Sequence, residues 1–329
     1  MTTVAVTGSE GFIASHLVEL LVGEGYSVRA MVQYNSFSSW GWLDTVDPQI
    51  LGEVDIVLGD VRDARSVMDL TRDADVICHL AALIAVPYSY QAPDSYLATN
   101  AGGTLNVLEA ARTHGTPRLI HTSTSEVYGT AITVPITESH PLQAQSPYAA
   151  SKIAADKLVE SYHLSFGLPA TTIRPFNTYG PRQSARAVIP AAISQIAAGK
   201  REIALGALDP TRDFNFVVDT AEAFLALIEA DDDVVGRTLN VGSGREISIG
   251  EVVRLIGTIM GREVVVTADS ARIRPVDSEV QRLVCDSSAL QSLTSWKPQH
   301  TLEEGLRITA DWFCQPHNLA AYKTDLYIV

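Results

Sequence analysis

The sequence predicts a doubly wound α/β fold, in which helices cover both faces of a parallel sheet, with a smaller interleaved substrate-binding lobe. Two observations predict the sheet. Strand-like and helix-like segments alternate through the first half of the chain, and a glycine turn follows the first strand. A third observation predicts the lobe, since the alternation becomes irregular after about Arg174. Parallel strands joined by helical crossovers account for the regular half.

The first half supplies most elements of the predicted sheet. Its first strand leads into a helix over Phe12–Val22, whose apolar residues share one face and which ends at Gly23 and Gly25. Long helices are expected over Ser95–Thr113 and Pro147–Phe166. The strands expected in this half are Thr2–Thr7, Tyr26–Val32, Val54–Leu58, Val76–Leu80 and Arg118–Thr122.

The second half returns to the sheet and otherwise builds the lobe. Phe214–Ile228 is interpreted as a strand that runs into a helix, and Arg237–Val241 as a strand that rejoins the sheet. Further helices are expected over Ile189–Ala198, Ile249–Met260 and Leu302–Phe313. The predicted boundaries are 1–173 and 214–244 for a cofactor-binding domain, and 174–213 and 245–329 for the lobe.

Composition and charge narrow the class of protein. The 329 residues are 46% hydrophobic and 19% charged, an ordinary globular composition. The formal net charge of −14 disfavours nucleic acid and anionic membrane surfaces as partners. No apolar run has the length of a membrane span and no signal-peptide pattern precedes Gly8, so a cytosolic protein is expected. Cys78, Cys285 and Cys314 lack metal-ligand spacing, which favours buried thiols in a reducing compartment.

A glycine turn near the start of the chain is the candidate cofactor site. Gly8 and Gly11 begin the pattern Gly-x-x-Gly-x-x-Ala, and a helix starts directly after them at Phe12 and Ile13. Such glycines let the backbone approach a pyrophosphate, whose charge then meets the helix N-terminus. An ordinary glycine turn is the alternative. The position within the first βαβ unit favours a dinucleotide-binding fingerprint of Rossmann type.

Residues after the next strands bear on the choice between NAD and NADP. Gln33 stands at the end of the second strand, where an acid would bind ribose hydroxyls and a base would neutralise a 2′-phosphate. With neither present, the sequence favours NAD. Asp60, followed by Val61, is placed to contact the adenine amino group, with a helix N-cap as a close alternative. Leu80, Ala81 and Ala82 follow the fourth strand, and the small alanines would let the backbone run beside the cofactor.

A tyrosine and a lysine lie four residues apart in the second long helix. This spacing places Tyr148 and Lys152 on one face of the helix. A nearby cation favours the phenolate, so the tyrosine is a candidate base. Taken alone, the Tyr-x-x-x-Lys pattern is common and weak evidence, and a solvated helix face is the alternative.

Hydroxyl and carboxyl side chains follow the strand that ends at Thr122. Thr124, Ser125 and Glu126 stand beyond the carboxyl end of that strand, where parallel sheets bind ligands. A hydroxyl there can hold a reacting hydroxyl, and a carboxylate can take or give a proton. The alternatives are a turn that satisfies its own backbone and a loop acid in water. The glycine turn, this loop and the Tyr-x-x-x-Lys pair, in this order, are far more specific together than alone.

This combination resembles the extended short-chain dehydrogenases/reductases that act on nucleotide sugars, over essentially the whole chain. The resemblance implies NAD as the cofactor, with Asn100 and Thr122 among its contacts. It also implies a homodimer formed through the two long helices. The further segments that carry the resemblance are Asn100–Val107, Arg174–Arg182, Arg212–Phe214, Asn240–Gly244, Trp296–Pro298 and Leu302–Leu306.

Within this superfamily, the Thr124-Ser125-Glu126 loop resembles the GDP-mannose 4,6-dehydratase pattern. The dTDP-glucose dehydratases have an aspartate where Ser125 stands, so Glu126 would have to carry out more of the proton transfers here. The segments Tyr34–Leu43 and Pro181–Pro190 look closest to the dehydratases of legionaminic acid biosynthesis. Those enzymes act on UDP- or GDP-linked N-acetylglucosamine, which is the substrate class that the resemblance implies.

The resemblance implies a mechanism. Tyr148, assisted by Thr124 and Lys152, takes the proton of the sugar 4-hydroxyl while hydride passes from C-4 to NAD+. Glu126 takes the C-5 proton, the C-6 hydroxyl leaves with a proton from Glu126 or through Ser125, and hydride returns to C-6. Arg274 is the preferred cation for the substrate diphosphate, and a surface ion pair is the alternative for any single arginine. The other substrate contacts expected are Asn177, Arg182, Val188 and Arg212. Tyr88 follows the fourth strand by a short loop and is a candidate for contact with the sugar, with packing as an equally good alternative.

Other functions stay open at this point. A UDP-glucuronate decarboxylase uses the same loop and the same Tyr-x-x-x-Lys pair, with a cation aimed at the sugar carboxylate. A 4-epimerase needs no acid at Glu126, and a 5,6-dehydratase would return the hydride differently. A nucleotide-binding regulator without catalysis is disfavoured by the intact Tyr148, Lys152 and Glu126.

Overall fold

Strands and helices alternate along the computed structural model, which describes residues 1–269, 272 and 275–323. Its strands are β1 Thr3–Thr7, β2 Ser27–Gln33, β3 Val54–Gly59, β4 Val76–His79, β5 Arg118–Thr122, β6 Ala170–Pro175, β7 Asn177–Tyr179, β8 Glu202–Leu205, β9 Thr211–Arg212, β10 Phe214–Phe216, β11 Thr238–Val241, β12 Ile247–Ser248 and β13 Val265–Ala268. Its α-helices are α1 Phe12–Gly23, α2 Pro48–Leu51, α3 Ala64–Thr71, α4 Val86–Ser89, α5 Pro93–Tyr96, α6 Gly103–His114, α7 Pro147–Phe166, α8 Val188–Ala197, α9 Val217–Glu229, α10 Ile249–Ile259, α11 Ser288–Leu293, α12 Leu302–Phe313 and α13 Pro316–Leu319. None of the helices described combines the length and apolar character needed to cross a membrane.

Seven strands form the central sheet in the order β3-β2-β1-β4-β5-β6-β11, and every neighbouring pair is parallel. The order reverses between β1 and β4, so a crevice opens beyond the carboxyl ends of these two strands. This confirms the predicted doubly wound fold. The strand expected over Arg237–Val241 is confirmed as β11, which closes one edge of the sheet.

Strand β6 is the part of the sheet that the sequence did not predict. Ala170–Pro175 contains Thr171, Thr172 and Arg174, and all six of its residues are buried. A strand with polar residues inside the protein carries no continuous apolar run, so its hydropathy does not reveal it. Two of its polar side chains have buried partners: Thr171 donates a hydrogen bond to the carbonyl of Val234, and Arg174 donates to the carboxylate of Asp156.

Helices pack on both faces of the sheet and enclose two apolar cores. One core joins α1 and α9 to the sheet through residues such as Leu17 and Phe224. The other joins α3, α6 and α7 through residues such as Leu70, Leu108 and Val159. The helix expected over Ser95–Thr113 is a continuous helical stretch whose Leu97–Gly102 portion is a π-helix, a form often found near functional sites.

The lobe has a core of its own. Helices α8, α10 and α12 pack through Ile193, Val253 and Phe313. Two short strand pairs complete the lobe, with β8 parallel to β13 and β9 antiparallel to β12. The predicted strand-to-helix transition after Phe214 is confirmed as β10 and α9, and β10 pairs with β7 outside the central sheet. Strand β7 follows directly on β6 in the chain, so the β7–β10 pair connects the lobe to the carboxyl end of the central sheet.

Candidate active site

A cavity of about 770 Å³ lies where the strand order reverses, between the sheet and the lobe. Cavities of this size, apolar with a few polar groups, are typical of small-molecule sites. Most site residues predicted from the sequence line it. They are Gly8, Gly11, Phe12, Ile13, Gln33, Asp60, Val61, Leu80, Ala81, Ala82, Thr122, Thr124, Ser125, Glu126, Tyr148, Lys152, Asn177, Arg182, Val188 and Arg212.

The glycine turn after β1 forms one wall of the cavity. Gly8 has a φ of +71°, and a Cβ at this position would lie 2.7 Å from Cα of Ala81, so only glycine fits there. Gly11 precedes α1 without a side-chain capping bond. The first backbone N–H groups of α1 are therefore available to an anion, and the turn fits a pyrophosphate.

Several buried polar atoms on the cavity wall have no hydrogen-bond partner within the described part of the chain. They include Glu10 Oε2, Thr122 Oγ1, Asn177 Oδ1 and Gln183 Oε1. An unsatisfied buried polar atom is costly, and most such atoms in proteins have a partner. The residues present therefore fit a polar ligand that runs from the glycine turn to the lobe, as a dinucleotide with a nucleotide sugar would.

Tyr148 lies at the start of α7, where Ser146 caps the helix by accepting a hydrogen bond from Ala149 N. Its side chain is buried beside Tyr96, with an edge-to-face ring contact. Burial raises the pKa of the Tyr148 hydroxyl, and a hydrogen bond with Thr124 acts in the opposite direction. The free protein thus holds the phenol in its protonated form, and a nearby cation is needed to make it a base.

Lys152, four residues after Tyr148 in α7 and buried, is the candidate for this cation. Its Nζ donates a hydrogen bond of 2.6 Å to the backbone carbonyl of Thr122, at the end of β5. Burial lowers the pKa of Lys152 to about 8, and the charge of Asp156 opposes this decrease. A buried ammonium of this pKa is poised to exchange a proton near neutral pH.

Glu126 lies opposite this pair, in a short 3₁₀ turn over Ser125–Tyr128. The Thr124 hydroxyl caps the turn by accepting a hydrogen bond of 3.2 Å from Glu126 N. After burial, the charge of Glu126 is a further cause that raises the pKa of Tyr148. The carboxylate and the phenol therefore face one cavity, which Ser125 and Thr124 also line.

Behind Lys152 lies a buried polar network that the sequence did not reveal. Asp156 Oδ1 is 3.3 Å from His121 Nε2, and its Oδ2 accepts hydrogen bonds of 2.8 Å from Ser123 and from Arg174. Burial alone would raise the pKa of Asp156, but the His121 hydrogen bond and the Arg174 charge hold it at about 2. The network therefore places a permanent carboxylate close to Lys152.

His121 should make the protein less stable as the pH falls. Burial, followed by the charge of Lys152, lowers the pKa of His121 from 6.5 to about 4. Between these values the unfolded chain takes up a proton that the folded protein does not, so folding stability is lost on acidification. From about pH 7.5 to about pH 5, the wild type should lose about 2 kcal/mol more than His121→Gln. Urea denaturation followed by circular dichroism measures the difference.

The matched control for this prediction is His317→Gln, at an exposed position on α13. This variant should retain the wild-type loss of stability. An equal loss of stability in the wild type and in His121→Gln would show that the charge state of His121 does not govern the acid response.

Arginines of the lobe segments line the cavity. Arg212 Nη2 donates a hydrogen bond of 3.1 Å to Glu279 Oε1. Arg212 lines the cavity, as Asn177 does. Arg182 also lines it, but its guanidinium makes two bonds, of 2.6 and 3.0 Å, to the carboxylate of Glu19 on α1. Arg186 and Arg272 are cavity residues that sequence reasoning missed, because no motif marks them.

Two predicted residues, Tyr88 and Asn100, do not line the cavity, and a third was predicted at a position that the structure does not describe. Tyr88 packs on Tyr96 with ring centroids 6.1 Å apart. Asn100 exchanges hydrogen bonds of 2.8 and 2.9 Å with the backbone of Leu83, so it supports the wall from behind. Arg274, the preferred diphosphate ligand, lies outside the described residues.

Proteins similar to this chain include enzymes of nucleotide sugars. The family model for GDP-mannose 4,6 dehydratase matches residues 5–309. A dTDP-glucose 4,6-dehydratase from Mycolicibacterium smegmatis is 34% identical over 312 residues, which cover 94% of this chain and 92% of that protein. A dTDP-glucose 4,6-dehydratase from Bacillus anthracis, solved in complex with NAD, superposes with a TM-score of 0.83 at 26% identity, covering 96% of this chain and 98% of that one.

An epimerase is equally similar in structure. A UDP-glucuronic acid 4-epimerase from Bacillus cereus, in complex with UDP-glucuronic acid and NAD, has a TM-score of 0.86 at 26% identity, with coverage of 96% and 99%. Overall likeness therefore establishes the family without separating the two reactions. The chain belongs to the GDP-mannose 4,6 dehydratase family, within the extended short-chain dehydrogenases/reductases.

Proposed function

We propose that this protein catalyses the NAD-dependent 4,6-dehydration of a nucleotide-activated hexose, and that the sugar is N-acetylglucosamine linked to UDP or GDP. One observation carries the reaction type. Glu126 lines the same cavity as Tyr148, Thr124 and Lys152. Elimination of water across C-5 and C-6 needs a group that takes one proton and gives one, whereas 4-epimerisation does not. The carboxylate therefore favours the dehydratases among its relatives over the epimerases.

NAD is the cofactor that the site supports. Gly8 and Gly11 would hold its pyrophosphate, and Gln33, Asp60 and Val61 would surround the adenosine. When bound, NAD supplies a hydride acceptor for C-4 and a hydride donor for C-6. The similar structures from Bacillus anthracis and Bacillus cereus contain this cofactor.

The side chains then divide the proton transfers. Tyr148 takes the proton of the sugar 4-hydroxyl, with Thr124 in hydrogen-bond contact and Lys152 as the neighbouring cation. Glu126 takes the C-5 proton, which the 4-keto group has made acidic, and donates a proton to the departing C-6 hydroxyl. Water is released. Glu126 takes a proton from solvent and returns it to C-5 as C-6 receives the hydride, and Tyr148 gives up the 4-hydroxyl proton to solvent.

The lobe would bind the diphosphate. Asn177 and Arg212 line that end of the cavity and supply hydrogen-bond donors against the acidic background of the chain. Arg274 remains a proposed ligand from the sequence. The bidentate pair of Arg182 with Glu19 favours a role in fixing the loop after β7 over direct contact with substrate.

A panel of nucleotide sugars read by mass and by deuterium position tests the proposal. UDP- and GDP-N-acetylglucosamine labelled with deuterium at C-4 should lose water and carry the label at C-6. Loss of carbon dioxide from UDP-glucuronate would instead identify a decarboxylase, and an unchanged mass with inverted C-4 an epimerase. Dehydration of dTDP-glucose or GDP-mannose alone would overturn the choice of sugar and leave the reaction intact. The Tyr148→Phe protein is the blank.

We also propose a homodimer through the two long helical stretches. They expose apolar side chains, with Leu97 57% exposed, Leu164 76% and Phe166 58%. A charge placed among them should separate the protomers, so Leu164→Glu is expected to be monomeric by size-exclusion chromatography with light scattering. Ile132→Glu, at another exposed apolar position, should remain dimeric. A monomeric wild type would refute the dimer.

A further inference from the structure

Glu10 occupies the turn between Gly8 and Gly11 and lines the cavity. Its Oε1 accepts a hydrogen bond of 3.2 Å from the backbone N–H of Gln33, at the end of β2. Its Oε2 is buried and has no hydrogen-bond partner within the described residues. A carboxylate oxygen thus lies beside the end of β2 with its acceptor capacity unused, which calls for a donor from a ligand.

The surroundings fix Glu10 in this place. The loop after β2 crosses over it, and Trp42 N donates a hydrogen bond of 3.1 Å to the Glu10 carbonyl. Gly41, with a φ of +61°, is packed so closely that a Cβ would lie 2.7 Å from the same carbonyl oxygen. Burial, and to a smaller extent the charge of Asp60, raises the pKa of Glu10. The carboxylate is therefore held in a position where a ligand donor would stabilise it.

We propose that Glu10 binds the adenosine ribose hydroxyls of NAD, and thereby replaces the acid that dinucleotide-binding folds carry at the end of the second strand. Gln33 occupies that strand position here, and Glu10 is joined to it by a hydrogen bond. The inference rests on the proposed function, because it assigns a residue to the cofactor of that reaction.

Glu10 also excludes NADP actively. A 2′-phosphate would bring two negative charges against a buried carboxylate, and such repulsion is strong where water is excluded. Arg62, a cation on the same wall, is bound to Asp60, with Nη2 2.6 Å from Oδ2. The sequence alone attributed the preference for NAD to a missing base after β2. The structure attributes it to an acid in the glycine turn.

Isothermal titration calorimetry of the full chain, freed of nucleotide and without any sugar, tests the proposal. The probes are NAD+, NADP+, 2′-deoxy-NAD+ and 3′-deoxy-NAD+. In the wild type, removal of a ribose hydroxyl bound by a carboxylate should weaken binding about 10-fold or more. In Glu10→Gln, binding of NAD+ should weaken by about the same factor, NADP+ should not weaken, and the penalty for the deoxy analogues should shrink. Glu24→Gln removes the same charge at the exposed end of α1 and should match the wild type.

Each outcome decides the question. An unchanged ratio of NAD+ to NADP+ affinity in Glu10→Gln, or full affinity of the wild type for both deoxy analogues, overturns the inference and leaves the proposed function standing. A wild type that binds no dinucleotide overturns both. If Glu10→Gln loses its folded circular dichroism spectrum, the deoxy analogues with wild-type protein decide alone, and Glu10→Asp, which keeps the charge, should retain the preference for NAD+.

Discussion

Replacing Tyr148 with phenylalanine should abolish the first oxidation of the sugar. The hydroxyl that is lost is the group in contact with Thr124 and on the same helix face as Lys152. Without it, the group proposed to take the proton of the 4-hydroxyl is missing when hydride should leave C-4. Loss of a positioned general base lowers a rate by roughly 100- to 10,000-fold. The NADH absorbance that follows mixing with nucleotide sugar measures the step directly.

A tyrosine on the same helix provides the matched control. Tyr162 lies near the other end of α7 and donates its hydroxyl hydrogen bond to Glu109, far from the cavity. Tyr162→Phe should form NADH at the wild-type rate. Each variant loses one tyrosine hydroxyl, and the melting temperature of each shows whether it is still folded. A NADH signal of wild-type size in folded Tyr148→Phe would remove Tyr148 from the proposed mechanism.

The sequence predicts all strands of the sheet except β6, and the candidate reacting side chains, for the same physical reason. Both depend on the spacing of residues that are close together in the sequence. Short apolar segments predict β1 and β4. A separation of four residues places Tyr148 and Lys152 on one helix face, and the end of β5 places Glu126 at the carboxyl edge. These assignments needed no knowledge of distant contacts.

The remaining features depend on residues far apart in the chain. Glu10 meets Gln33 across 23 positions, and Asp156 meets His121 across 35. Neither pair has a sequence pattern, because each exists only after the strands are placed side by side. Arg182 shows the converse. Its place in a motif after β7 predicted a contact with the substrate, whereas its guanidinium donates a hydrogen bond to Glu19 on α1.

The Glu126→Gln variant should separate the reaction into its two halves. The amide preserves the shape of the side chain and leaves Tyr148 and Lys152 in place, so hydride should still leave C-4. The amide cannot take the C-5 proton, so elimination should slow by roughly 100-fold or more. NADH should therefore accumulate with a sugar that has not lost water. Mass spectrometry of the quenched mixture and the lasting NADH absorbance report the two halves independently.

Isotope exchange sharpens this result, because it follows the proton that Glu126 is proposed to carry. In deuterium oxide the wild type should introduce one deuterium at C-5, and Glu126→Gln should leave C-5 unlabelled. Glu160→Gln, the same substitution at an exposed position of α7, should behave as the wild type. Glu126→Asp keeps a carboxylate on a shorter side chain and should recover part of the elimination. If Glu126→Gln released water and labelled C-5 at the normal rate, another group would be transferring the C-5 proton. The Glu126 carboxylate would then no longer favour a dehydratase over an epimerase.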